Sequence, residues 1–150
     1  MDITDYDNDF ATYVADEDTR KNLGMVFTPY SIIEQMMDKI DADTWADETK
    51  TNLDPTMGTG NIVIGMLYRR IVEYHQDPVK ALSNVYGIEL DQKTLDYAKE
   101  RIKKFIAHFT DKDCTDIIDH NFVCSDVFAW DIENWKPMSQ STGDFESWLE

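Results

Sequence analysis

Asn52-Leu53-Asp54-Pro55-Thr56-Met57-Gly58-Thr59-Gly60-Asn61 joins a short strand candidate, ending at Leu53, to a helix candidate running from about Asn61 to Tyr74. The apolar positions of that helix are Ile64, Leu67, Ile71 and Val72, and its first turns are apolar almost all round. A helix start of that kind needs burial against a sheet. Gly58 and Gly60 in the turn permit positive φ and let backbone approach a ligand with no Cβ between them. The helix start after Gly60 adds unpaired N–H donors.

Upstream of this stretch, Thr28 suits a helix N-cap and Pro29 the first helical position. Ile32, Ile33, Met36, Met37 and Ile40 then recur at helical spacing. The Asp- and Thr-rich run 41–51 reads as a surface connection. Downstream, Pro78 breaks the helical pattern, and Val85-Tyr86-Gly87-Ile88 is a second short strand ended by Glu89. A third helix over about 92–109 carries Leu95, Ala98, Ile102, Phe105, Ile106 and Phe109 as its stripe, with Lys99, Arg101, Lys103 and Lys104 on its other side. Asn121-Phe122-Val123-Cys124 is a third strand, with Asp126 just beyond it. Past Trp130 the pattern specifies no element. Strands separated by helices imply crossovers on the sheet faces, hence a parallel sheet and an α/β fold.

In open α/β sheets, ligands lie beyond the carboxyl ends of the strands. Each predicted strand here ends in an acid: Asp54, Glu89 and Asp126. Parallel pairing lines these acids along one rim beside the glycine turn. The turn lacks the Gly-Lys-Ser/Thr ending of a phosphate loop and the third glycine of a dinucleotide fingerprint, and an acidic rim repels pyrophosphate. S-adenosylmethionine (SAM) suits it better, with no phosphate, a sulfonium and an ammonium to meet carboxylates, and a ribose diol for a bidentate acid.

Phe27-Thr28-Pro29, Asp54-Pro55-Thr56-Met57-Gly58-Thr59-Gly60-Asn61, Gly87-Ile88-Glu89-Leu90-Asp91 and Ser125-Asp126-Val127, in this order and spacing, resemble the N6-adenine DNA methyltransferases. The similarity covers about residues 24–128 and implies a partial Rossmann-like SAM-dependent methyltransferase fold, the N-terminal half of the parallel sheet. It further implies that Phe27, Thr28 and Pro29 border the methionine end of SAM. Asp54 with Pro55 and the backbone of Gly58 and Gly60 then hold the amino-acid portion, and Glu89 takes the ribose hydroxyls. Leu90 packs on the adenine, Asp126 accepts from its amino group, and Val127 or Phe128 covers the ring. Met57 stands where such enzymes commonly carry Cys or Ala, which implies an altered but tolerated pocket shape.

The family's (D/N/S)-P-P-(Y/F) segment, which holds the target amine and stacks on a flipped base, has no counterpart, since the sequence contains no Pro-Pro pair. No catalytic residue is therefore assigned, and the chain is expected to be inactive alone. In the family's sheet the first strand lies between the second and a fourth, so the strand ending at Asp54 is expected to have an open edge. Open edges invite pairing, whether with another copy of the chain, a complementing subunit, or segment 127–150 folding back. Trp130, Trp135 and Trp148 are candidate packing anchors for this.

The 150 residues carry a net charge of -16. Residues 1–18 hold seven acids and no base, and residues 126–150 hold six acids against Lys136. The expected organisation is an acidic N-terminal segment (1–20), a SAM-binding domain (21–128) and an acidic, Trp-containing C-terminal segment (129–150). Duplex binding draws on Lys and Arg displacing counterions, so DNA is expected to be engaged weakly or through a partner chain. Cys114 and Cys124 lack metal-ligand spacing. With no basic and apolar leader at residues 1–5 and no apolar run long enough to span a bilayer, the reading is a cytoplasmic protein without membrane contact. Two functions stay open: the cofactor-binding portion of an adenine DNA methyltransferase, or a non-catalytic relative that sequesters SAM or docks on a methyltransferase or restriction enzyme through its acidic surface.

Overall fold

The computed structural model describes residues 30–139. Helix α1 (Tyr30–Asp38) and the short α2 (Ala42–Ala46) precede β1 (Asn52–Asp54). Helix α3 (Asn61–Tyr68) continues into a π-helical turn, Arg69–Glu73, and α4 (Pro78–Ser83) leads into β2 (Val85–Glu89). Helix α5 (Gln92–Ala107) and α6 (Thr115–Asn121) then precede β3 (Phe122–Cys124). A 3₁₀ turn, Val127–Ala129, opens a hairpin of β4 (Trp130–Asp131) and β5 (Lys136–Pro137).

The main sheet has the order β1-β2-β3, and both pairings are parallel. Asp54 lies opposite Gly87, Gly87 opposite Phe122, and Glu89 opposite Cys124. Residues in register share a face of the sheet. On one face Val85 and Phe122 join a single core with Ile33 and Met37 of α1, Ile64 and Leu67 of α3, and Ala98, Ile102 and Phe105 of α5. Tyr86, one position along β2, faces the other way. Trp135 of the hairpin stands edge-on to it at 4.7 Å, and the Trp135 indole N–H donates to the carbonyl of His120 at 2.7 Å. Trp130 packs edge-on against Trp135 at 5.4 Å. Two of the three tryptophans past residue 128 thus make packing contacts, while Trp148 lies outside the described residues.

The parallel three-stranded sheet agrees with a partial Rossmann-like methyltransferase fold. Among the described residues no strand pairs with the free side of β1. That edge is short, because Pro55 follows Asp54 at once and has no N–H to offer a neighbour.

Four local expectations require correction. The run 41–51 is more than a surface connection: α2 buries Trp45, whose indole N–H donates to the carbonyl of Met37 at 3.2 Å. The preceding helical segment already stops at Glu73, and Pro78 begins the next one, at the N1 position of α4 where its missing N–H costs nothing, with Asp77 capping Lys80 N–H at 3.0 Å. Arg101 does not lie with the solvated lysines of α5; it is buried, with 3% of its surface exposed. The third helix also ends at Ala107 rather than 109, and α6 fills the connection to β3.

The π turn completes the scaffold behind the sheet. Fully buried Arg70 within it donates to Asn52 Oδ1 at 2.8 Å, to the Lys50 carbonyl at 2.8 Å and to Gln76 Oε1 at 3.1 Å. It also stacks over the Trp45 ring at 5.7 Å. These bonds hold the start of β1.

Candidate cofactor site

The carboxyl ends of β1, β2 and β3 converge through a small set of backbone bonds. Met57 N–H donates to the carbonyl of Ile88 at 2.9 Å, seating the β1 turn on the end of β2. Ser125 N–H donates to the carbonyl of Glu89 at 3.0 Å, bringing the exit of β3 to the same place. Gly58 and Gly60 have φ of +55° and +92°, a region in which an L side chain is strained. Gly60 is the N-cap of α3, and the Ile64 N–H donates to its carbonyl at 2.8 Å.

Glu89 links two of these loops. Its Oε1 accepts from Gly58 N–H at 3.0 Å and its Oε2 from Asp91 N–H at 2.8 Å. A carboxylate offers about four lone-pair sites, so acceptor capacity remains for ligand hydroxyls. Asp91 itself is a helix cap: its Oδ2 accepts from Thr94 N–H at 3.0 Å and from the Thr94 hydroxyl at 2.7 Å.

Asp54 is 6% exposed. Its Oδ1 accepts from Thr56 N–H at 3.1 Å, whereas buried Oδ2 has no partner among the described residues. Burial pushes its carboxyl above the ordinary carboxylate range; the Thr56 N–H opposes the shift and the neighbouring Glu89 charge adds to it. The Thr59 hydroxyl in the same turn is likewise buried without a partner among the described residues. A buried acceptor left in this state costs stability unless something fills it. A cationic donor is the complement this acidic corner calls for.

The remaining expected residues form the outer side of the rim. Pro55 is exposed and Gly58 half-buried. Leu90 is largely exposed, and Phe128 is 88% exposed. Val127 is half-buried. Asp126 is exposed, and its Oδ1 accepts from Phe128 N–H at 2.9 Å, which caps the 3₁₀ turn and leaves its other oxygen outside that bond. Phe27, Thr28 and Pro29 lie outside the described residues. Met57 is buried and packs toward β2: a Cβ built on Gly87 would stand 2.5 Å from its sulfur. Its extra bulk goes into the space above Gly87, inside the core cluster.

Sequence reasoning missed one residue at this site. Arg101 Nη1 donates to the carbonyl of Thr59 at 2.5 Å, and Nη2 to Asn61 Oδ1 at 2.8 Å. The signal was present, since Arg101 falls in helical phase with Thr94, Ala98 and Phe105, all buried.

A parallel α/β sheet with a glycine turn after its first strand and carboxylates at the strand exits defines a fold that binds ligands at that rim. The family model for N-6 DNA methylase matches residues 8–133, and the chain belongs to that family. Its role is therefore a DNA methyltransferase-related one. No curated protein matches the chain. Among the described residues no helix is long and apolar enough to cross a membrane.

Proposed function

We propose that the chain is the SAM-binding portion of an N6-adenine-type DNA methyltransferase, and that the segment holding the target amine comes from polypeptide outside these residues. The observation that carries this is Asp54: a buried carboxylate oxygen with no partner among the described residues, beside Glu89 at the end of the sheet. SAM brings an ammonium to such a position and, when bound, supplies an activated methyl group on its sulfonium. The chain's own residues bind and orient. Asp54 receives the ammonium, with Pro55 shaping the turn and Gly58 and Gly60 allowing the backbone to approach the amino-acid portion. Glu89, already fixed by two backbone N–H groups, turns its remaining lone pairs to the ribose diol. Asp126 accepts from the adenine amino group between exposed Leu90 and the pair Val127 and Phe128, which gain cover from water when the ring stacks on them. Phe27, Thr28 and Pro29 border the methionine end.

A second reading is favoured by the charge distribution: with seven acids and no base in residues 1–18, the chain sequesters SAM or docks on a basic methyltransferase or restriction enzyme. Calorimetric titration of SAM into the full chain tests what both readings share. Wild type is expected to bind, and Glu89→Ala/Asp126→Ala to bind about a hundredfold more weakly, from the loss of two sets of charge-assisted hydrogen bonds. No binding by wild type, or equal binding by the double variant, overturns the assignment. Methyl transfer to DNA by the isolated chain would contradict the expectation of an outside segment.

A further inference from the structure

The glycine turn is fastened from behind by a buried cation. Arg101 rises from the middle of α5, the helix that begins immediately after the Glu89 rim, and reaches across to the turn after β1. Its guanidinium donates to two points on either side of Gly60, the Thr59 carbonyl and the Asn61 side chain. Gly60 rests on the same helix: a Cβ added there would meet Ala98 Cβ at 3.5 Å. Gly60 has φ of +92°, so the chain reverses between two bonds to one rigid group. A planar guanidinium suits this, because its donors are set in a fixed fork and lose little freedom on bonding.

We infer that Arg101 is a positioning residue for cofactor binding: it sets the shape of the glycine turn without touching the ligand. The inference rests on the SAM reading above. Its physical basis is the placement of the two bonds. One ties α5 to the first residue of α3 and the other to the turn just before it, so together they fix the side chain and carbonyl flanking the residue whose backbone the ligand must approach. With the guanidinium gone, the buried Thr59 carbonyl loses a charged donor and the turn is free to rotate about Gly58 and Gly60, both glycines at positive φ. The first amides of α3 then lose their fixed direction. Arg70 provides the contrast. It is also buried, but it donates at the opposite end of β1, to the Asn52 side chain and the Lys50 carbonyl.

The test uses the full chain and four variants, Arg101→Met, Arg101→Lys, Asn61→Ala and Arg70→Met, read by SAM calorimetry, thermal melting and amide hydrogen exchange. Arg101→Met is expected to weaken SAM binding by about tenfold to a hundredfold, the worth of hydrogen bonds from a charged group. Arg101→Lys should recover part of this, since an ammonium reaches one acceptor but not both. Asn61→Ala removes one of the two bonds at a half-buried site and should weaken binding less, keeping the inference testable if Arg101→Met does not fold. Exchange should rise at the amides of Gly58–Asn61 in both Arg101→Met and Asn61→Ala, while Arg70→Met lowers the melting temperature with SAM affinity unchanged. Wild type that binds SAM while Arg101→Met and Asn61→Ala match it overturns the inference alone. Wild type that binds no SAM overturns the cofactor reading and the inference with it. Equal losses of affinity in Arg70→Met and Arg101→Met also overturn it, because they would make the effect one of general stability.

Discussion

At Asp54 the backbone N–H of Thr56 satisfies one carboxylate oxygen, while burial leaves the other with no partner among the described residues. The unpartnered buried oxygen makes the residue a source of strain in the chain. Because its folded-state pKa is raised, the protonated form favours folding. That contribution is fully present below the ordinary carboxylate pKa and is lost as pH rises through the raised value. Asp54→Asn keeps an oxygen for Thr56 and removes the buried charge. It should stabilise the ligand-free chain at neutral pH by roughly 1 kcal/mol, the scale of an unsatisfied buried group, while weakening SAM binding. Melting and calorimetry on the same samples check the pair of signs. If Asp54→Asn both destabilises the chain and leaves SAM affinity intact, Asp54 is not the ligand's partner. Asp54 was legible as a candidate because it is an acid at a strand exit. Its missing partner was not, since satisfaction depends on neighbours that sequence spacing does not place.

At the scale of elements, the fit between Met57 and Gly87 decides how β1 and its turn sit on β2. The Met57 side chain occupies the volume that any Cβ on Gly87 would need, with Phe122 closing the third side at 3.1 Å from that position. Met57→Ala should cost about 2–5 kcal/mol as a large-to-small change in the core, and Gly87→Ala about 1–3 kcal/mol by overpacking. In the double variant the new methyl group enters space the methionine has left. The sum should therefore be undercut by about 1 kcal/mol, the coupling expected of residues in contact. Chemical denaturation of all four forms measures this; strict additivity would mean the two side chains do not share the site. The elements themselves were readable where periodicity was long, as in the sixteen residues of α5. Short α2 and α6 escaped because five and seven residues carry too little pattern to separate helix from loop. Arg101 escaped because a charged residue on the flank of a stripe is ordinarily solvated. Its burial depends on acceptors supplied by a turn forty residues earlier in the chain.

For the molecule as a whole, the succession of strands and crossovers followed from three short runs, Leu53, Val85-Tyr86-Gly87-Ile88 and Asn121-Phe122-Val123-Cys124, each with an acid at its end or just beyond it, although Asn121 itself closes α6. That pattern was enough for a parallel sheet with its acids along one rim. The C-terminal hairpin was not, because its strands have two residues each and owe their position to aromatic contacts with Tyr86 rather than to alternation. The hairpin packs on the face of the sheet turned away from the helical core. The expected open edge at β1 belongs to the same half-sheet, and among the described residues no strand pairs with it.

The measurement that bears most directly on the account is a heteronuclear NMR titration of the full chain with SAM, following backbone amides. Binding at the sheet rim predicts that the largest shifts cluster at Gly58, Gly60, Glu89, Leu90 and Asp126–Phe128. The groove at the other end of α5, lined by Lys103, Ile106, Lys112 and Cys114, should stay unperturbed. Shifts concentrated in that groove, or none at saturating SAM, would contradict a cofactor site at the carboxyl ends of β1, β2 and β3.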